Sequence, residues 1–187
     1  MQALRTALIY GSAREGRFCD TVAGWAGACI EARRGFDLDR IDPLLLDLPQ
    51  RPGRASTPDL VNLQQRIWRA DAFVVVTPEY NAGYPAALKS LIDSVQQHWQ
   101  AKPVAFVAYG GRSGGQRAVE QLRQVFSELH AVTVRNAVTL PMAWERFDAH
   151  GQPADAQSAI AAGAMLDQLA WWGHALRQAR AGWPYPG

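Results

Sequence analysis

The run Phe73-Val74-Val75-Val76 is the most hydrophobic short stretch of the chain, and no polar residue interrupts it. A strand with one wet face alternates apolar and polar residues. A run without alternation belongs to a strand covered on both faces, as in the middle of a parallel sheet. "PVAFVAY" (Pro103 to Tyr109) has the same character, and "LRTALIY" (Leu4 to Tyr10) is a further β-run. Helical patterns separate the runs. One covers about Phe18 to Arg33. "STPDLVNLQQRIWRA" takes Ser56 or Thr57 as its cap, with Pro58 in the first turn. A third helix follows Pro85 and ends near Trp99, and "GQRAVEQLRQVFSEL" is an amphipathic fourth. "FDLDRID" (Phe36 to Asp42) alternates as a second strand and "VTVRNAVTL" reads as the fifth. A loop from Pro141 to Asp155 leads to a last helix, about Ala156 to Ala179, with Leu166, Leu169 and Leu176 along one face. Strand and helix repeated in this way predict a three-layer α/β/α sandwich of parallel strands, one domain spanning residues 1–187.

Composition narrows the function classes. The chain has 187 residues, a net charge of +2 and only two lysines, Lys89 and Lys102. With no basic stripe or interleaved aromatic patch, it is not expected to bind nucleic acid. No stretch approaches the ~20 apolar residues of a membrane span, and "ALIY" is too short for a secretory leader. Cys19 and Cys29 lie ten residues apart in one helical pattern. That spacing is roughly 15 Å, beyond disulfide reach, so both are expected as free thiols in a reducing cytoplasm. His98, His130, His150 and His174 are scattered, without metal-ligand spacing.

In an open parallel sheet, ligands bind outside the carboxyl ends of the strands. Three strand ends here carry unusual sequence: "GSAREGR" after strand one, "TPEYNAGYP" after strand three and "YGGRSGG" after strand four. In the first, Gly11 permits a sharp turn, Ser12 offers a hydroxyl, and Arg14 and Arg17 offer forked donors. The following helix adds the positive end of its dipole, a combination that suits a phosphate monoester. It is neither a Walker loop nor Gly-x-Gly-x-x-Gly, and alone it also reads as a polar turn with two solvated arginines. In the second, Pro78 stops the strand, Asn81 and Gly83 tolerate positive φ, and Pro85 pre-sets the next helix. Its stiff backbone, with N–H groups free of the sheet, lies beside Tyr80 and suits the edge of a flat heteroaromatic ring. The third has four glycines in seven residues, which lets backbone approach a ligand or makes a plain connector.

A phosphate pocket, a ring-edge pocket and a glycine platform on one rim describe a flavin mononucleotide site. The chain resembles the NADPH-dependent FMN reductase family of the flavodoxin-like superfamily, in "GS-x-R", in "PEYN" followed by "GYP-x-x-LK", and in the "GG" loop, over about Leu4 to Pro141. The resemblance implies five parallel strands in the order 2-1-3-4-5 and bound FMN. It implies hydride taken from NADPH or NADH, and electrons passed to a quinone or another small acceptor. It makes Ser12, Arg14 and Arg17 the phosphate binders, Pro78, Glu79, Tyr80 and Asn81 the isoalloxazine contacts, and Gly110 and Gly111 the second flavin-side loop. No catalytic acid or base is implied; Glu79 is read as a polar contact or loop-shaping residue. Many members have a serine and an asparagine in the phosphate loop after the arginine; the chain departs from them with "EGRFCD", where Arg17 can supply charge and donors and Asp20 caps or starts the helix. A homodimer or homotetramer is implied.

Other residues admit two readings each. Lys89 and Asp93 have the i, i+4 spacing of an ion pair, and Lys89 also stands where the family would brace the PEYN loop. Arg112 and Arg117 are either surface arginines or partners of a cofactor 2′-phosphate. The adjacent Trp171 and Trp172 cannot both face one core, which puts one of them at a subunit contact; Trp183 reads as packing. His98 is a helix-end histidine or reaches a neighbouring subunit. Two rival functions share the same pocket: a flavodoxin-like electron carrier, and a flavin-binding module without turnover.

Overall fold

A computed structural model describes residues 2–49, 56–95 and 97–186. Strands β1 (Leu4–Tyr10), β2 (Phe36–Ile41), β3 (Ala72–Pro78) and β4 (Pro103–Gly110) are followed by two short pieces, β5 (Val132–Thr133) and β6 (Val138–Pro141). All pairings are parallel, in the order β2-β1-β3-β4-β5, with β6 also on β4. The expected order is therefore met, with the fifth strand in two parts. After Val134, whose amide still reaches the Val104 carbonyl at 2.9 Å, the chain leaves the ladder. Arg123 occupies the gap and donates to the Val134 and Arg135 carbonyls at 2.8 and 2.9 Å.

The uninterrupted apolar runs are explained by two cores. Leu8, Val74, Val76, Val107 and Tyr109 face one side of the sheet, with α1 (Cys19–Glu31) and α6 (Ala156–Gly182). Ile9, Phe73, Val75, Phe106 and Ala108 face the other side, with α2 (Pro58–Arg69), α3 (Ala86–Asp93) and α4 (Gln116–Glu128). Every residue of β3 is buried. Thr57, one of the two expected caps, accepts from the Leu60 amide and starts α2.

Several boundaries differ from expectation. α3 ends at Asp93, not near Trp99. Trp99 is instead a fully buried core residue packed between the Phe73 and Phe126 rings, tilted to the first and edge-on to the second, so it offers nothing to a partner. His98 consequently does not sit at a helix end. Leu166 and Leu169 are buried as expected, while Leu176 is only partly covered. Trp171 and Trp172 are both exposed. Cys19 and Cys29 are free thiols. Among the described residues, no helix is long and apolar enough to cross a membrane.

Lys102, at the start of β4, is buried. Its Nζ donates to the Ile67 and Trp68 carbonyls at 2.7 and 2.8 Å, closing the end of α2. A cation is favoured at a helix C-terminus, but burial, with Arg180 adding to it and Asp71 opposing, lowers its pKa from 10.5 to about 7. Between those values the unfolded chain holds a proton that the folded chain lacks. Stability from this group therefore rises as pH goes from 7 towards 10.5. Urea unfolding across that range is expected to show a shallower rise for Lys102→Met than for the parent protein. Equal slopes would mean that the ammonium stays charged in the fold.

Candidate functional site

The loops after β1, β3 and β4 meet at the carboxyl edge of the sheet, and hydrogen bonds join them. The Ser12 and Tyr80 hydroxyl oxygens are 3.0 Å apart. The Glu79 amide extends the ladder to the Tyr109 carbonyl at 3.0 Å. The Glu79 carboxylate reaches the first turn of α4, where it accepts from the Arg117 amide at 3.0 Å and pairs with its guanidinium at 3.3 Å. Glu79 thus fastens the second loop to the third, which is the loop-shaping reading. Lys89 pairs with Asp93 at 2.5 Å. The brace expected of Lys89 comes instead from Gln121 on α4, which donates to the Ala82 carbonyl at 2.8 Å.

The segment Tyr80–Gly83 is a two-residue hairpin. Tyr80 and Gly83 exchange both backbone hydrogen bonds, at 2.9 and 3.0 Å. Asn81 and Ala82 hold φ of 50° and 64°, the left-handed pair of a type I′ turn. The expectation of positive φ is met at Asn81, but the second such residue is Ala82, not Gly83. A Cβ at Gly83 would lie 3.0 Å from the Gln121 amide oxygen. The loop's N–H groups are also less free than the sequence suggests. Those of Glu79, Tyr80 and Gly83 are taken by protein, and those of Asn81 and Ala82 have no partner among the described residues.

In the first loop, Gly11 is required by a close approach. A Cβ would meet the Val76 carbonyl oxygen at 2.5 Å, so the loop is pressed against β3 before it turns outward. Ser12 is buried, and its Oγ accepts from the Arg14 amide at 3.3 Å. The Arg14 side chain is exposed and has no partner among the described residues. No side chain caps the first turn of α1. The Ala13 amide has no partner among the described residues either. An unpaired guanidinium, a hydroxyl and free amides at a helix start form a donor set that fits a phosphate. Arg17 does not belong to that set. Its guanidinium points inward to Asp42 and Asp20, and its pKa is raised, chiefly by the hydrogen bond to Asp42. Burial pushes Asp42 up, but the hydrogen bonds from Arg17 and the Leu44 amide outweigh it and hold the carboxyl below its usual range. Asp20 stands in the first turn of α1 but pairs with Arg17 and does not cap the helix.

The glycines of the third loop divide by role. Gly114 and Gly115 hold φ of 61° and 89° and have no room for a side chain. A Cβ on Gly115 would lie 2.6 Å from the Cβ of Ala108. A Cβ on Gly110 would touch the Glu79 Cβ at 3.4 Å. Above Gly111 there is open space, bounded by the Trp144 ring 4.0 Å away. Trp144, 54% exposed, sits on the short α5 (Ala143–Arg146), which the Met142 amide fastens to the Gly111 carbonyl at 3.0 Å. Trp144 belongs to none of the three loop motifs. Its signal was its position, just past the end of the fifth strand and so on the same rim.

Gly115→Ala is expected to cost on the order of 2–4 kcal/mol, from left-handed strain plus overpacking. Gly111→Ala is expected to stay within about 0.5 kcal/mol of the parent, as for a substitution into open space. Thermal melts of the two variants check this, and equal losses would contradict the division of roles.

Several known proteins are similar to this chain. An NAD(P)H-dependent FMN reductase of Schizosaccharomyces pombe is 37% identical over 147 residues, 72% of each chain. A probable NADPH:quinone oxidoreductase of rice is 34% identical over 166 residues, 82% of this chain and 84% of its own. The flavoenzyme NAD(P)H:(acceptor) oxidoreductase FerB of Paracoccus denitrificans superposes with a TM-score of 0.79 over 92% of this chain and 98% of its own. At 22% identity it speaks for the fold. Residues 4–145, which contain all three loops, match the NADPH-dependent FMN reductase family, and the chain belongs to that family.

Proposed function

We propose that this FMN-dependent NAD(P)H oxidoreductase holds FMN across the three loops and passes its electrons to a quinone or a similar small acceptor. The observation that carries the reading is one edge with three features. It has an uncapped helix start beside the unpaired Arg14, a rigid hairpin with two free amides, and open space above Gly111. Ser12 and Arg14 would hold the phosphate. Pro78, Tyr80, Asn81 and the Gly110–Gly111 backbone would border the ring, with Glu79 acting as their fastening. When bound, the flavin supplies the redox chemistry, accepting hydride from the nicotinamide and releasing electrons to the acceptor. The chain's own part is orientation and charge stabilisation. The free amides of Asn81 and Ala82 lie on a turn whose geometry is already set, so donors aimed at the ring edge need little reorganisation as negative charge grows there. Arg112 is exposed, and the Arg117 guanidinium is held to Glu79 by one arm only, which leaves both within reach of a cofactor 2′-phosphate. Trp144 would wall the space in which a second flat ligand stacks.

Titration with FMN, FAD and riboflavin tests the phosphate assignment. FMN is expected to bind more tightly than riboflavin, and Arg14→Ala to lose about 1.5–3 kcal/mol of FMN binding. Equal affinity for riboflavin would remove Ser12 and Arg14 from the site. Asn81→Val, a β-branched residue forced into positive φ, is expected to weaken FMN binding or shift its potential without altering the circular dichroism spectrum. Steady oxidation of NADPH or NADH with a soluble quinone separates an enzyme from an electron carrier: absence of turnover would favour the carrier. A homodimer or homotetramer is also proposed, supported by the exposed Trp171 and Trp172 and by the prevalence of two-fold closure. Light scattering at the monomer mass would count against it.

A further inference from the structure

Arg17 stands where the sequence suggests a phosphate donor, yet its side chain is 3% exposed. Nε donates to Asp20 Oδ1 at 2.9 Å. Nη1 donates to the Ser12 carbonyl and to Asp42 Oδ1 at 2.8 Å. Nη2 donates to Asp42 Oδ2 at 2.5 Å and lies 2.8 Å from Asp20 Oδ1. A guanidinium has five N–H donors; four of them are hydrogen-bonded here, and the fifth lies beside the Asp20 carboxylate. Its planar end also lies over the Tyr10 ring, 5.4 Å from the centroid. One cation between two carboxylates leaves a net negative group, which is a poor place for a phosphate dianion.

The same contacts give Arg17 another task. Asp42 begins the turn Pro43–Leu45 after β2 and accepts from the Leu44 amide at 2.9 Å. Arg17 therefore joins that turn to the first turn of α1 and to the peptide between Ser12 and Ala13. In a trans peptide the carbonyl and the following N–H point in opposite directions. A Ser12 carbonyl fixed on the buried guanidinium sends the Ala13 N–H away from it, towards the open side of the loop.

We propose that Arg17 and Asp42 form a positioning pair that presents the first-loop amides to the flavin phosphate, while Arg14 supplies the only guanidinium that touches it. The proposal rests on the reading of this loop as the phosphate site. It makes a prediction of sign. If Arg17 bound phosphate directly, Asp42→Asn would free the guanidinium, remove a nearby negative charge and tighten FMN. If the pair positions the loop, Asp42→Asn loosens FMN.

The test measures FMN and riboflavin dissociation constants, by flavin fluorescence, for protein freed of flavin. The variants are Asp42→Asn, Arg17→Gln, Arg17→Lys and the Arg17→Gln/Asp42→Asn double variant, with circular dichroism melts on the same samples. Each single variant is expected to weaken FMN roughly tenfold, the scale of one charged hydrogen bond, with riboflavin changed less. The preference for FMN over riboflavin thus narrows, which a general loss of stability would not produce. The double variant is expected to be no worse than the weaker single one, since the two residues act as a unit. Arg17→Lys, a point charge without the fork, is expected not to rescue. Tighter FMN binding in Asp42→Asn, additive losses in the double variant, or a full FMN preference in Arg17→Lys would each overturn the pair. Should Arg17→Gln fail to fold, Asp42→Asn and Arg17→Lys decide the matter. A parent protein that binds riboflavin as tightly as FMN would instead remove the phosphate reading on which the pair rests.

Discussion

The burial of β3 on both faces governs most of what this fold can do. A strand with no wet face cannot carry a polar functional group along its length without the cost of desolvating it. Polar chemistry is therefore displaced to where the strand ends, and in a parallel sheet the neighbouring strands end on the same edge. β1, β3 and β4 deliver their loops there together. Gly11 makes the dependence explicit, since the first loop lies so close to the Val76 carbonyl that no side chain fits between them.

The rim is held by side chains and backbone amides that reach across from one element to another. Glu79 and Gln121 tie the hairpin to α4, the hydroxyls of Ser12 and Tyr80 tie the first loop to the second, and the Met142 amide ties α5 to the third. The ties connect all three loops, so a shift in one loop is felt by the others. This arrangement suits a site whose donors must keep their places while the charge on a ligand changes.

Much of this was legible in the sequence. The apolar runs located the strands because burial on both faces leaves short, β-branched apolar runs bounded by turn residues, and Thr57-Pro58 marked a helix start through local chemistry alone. The loops were legible as loops for the same local reason: proline, glycine and asparagine restrict the backbone where they stand. What stayed hidden depended on residues far apart in the chain. Nothing local to Arg17 announces Asp42, which is 25 positions away, so a forked cation beside Ser12 reads naturally as a ligand donor. Gly83 looked like the residue with positive φ because glycine permits it, but the turn type placed that conformation on Ala82. Trp99 looked like the end of a helix because helix pattern and core pattern coincide when an aromatic side chain folds back over Phe73.

The break between β5 and β6 has a consequence for how the molecule behaves among copies of itself. This strand closes one side of the sheet, and a long, regular outer strand would present a row of unpaired amides and carbonyls to any other chain in the extended state. Here the row is cut short. Arg123 occupies the carbonyls of Val134 and Arg135 from one side, and Gln168 of α6 accepts from the Asn136 amide at 2.9 Å from the other. The template for strand addition is thus interrupted near its middle by two side chains from opposite layers, a safeguard against edge-to-edge aggregation built from residues remote from the ligand rim.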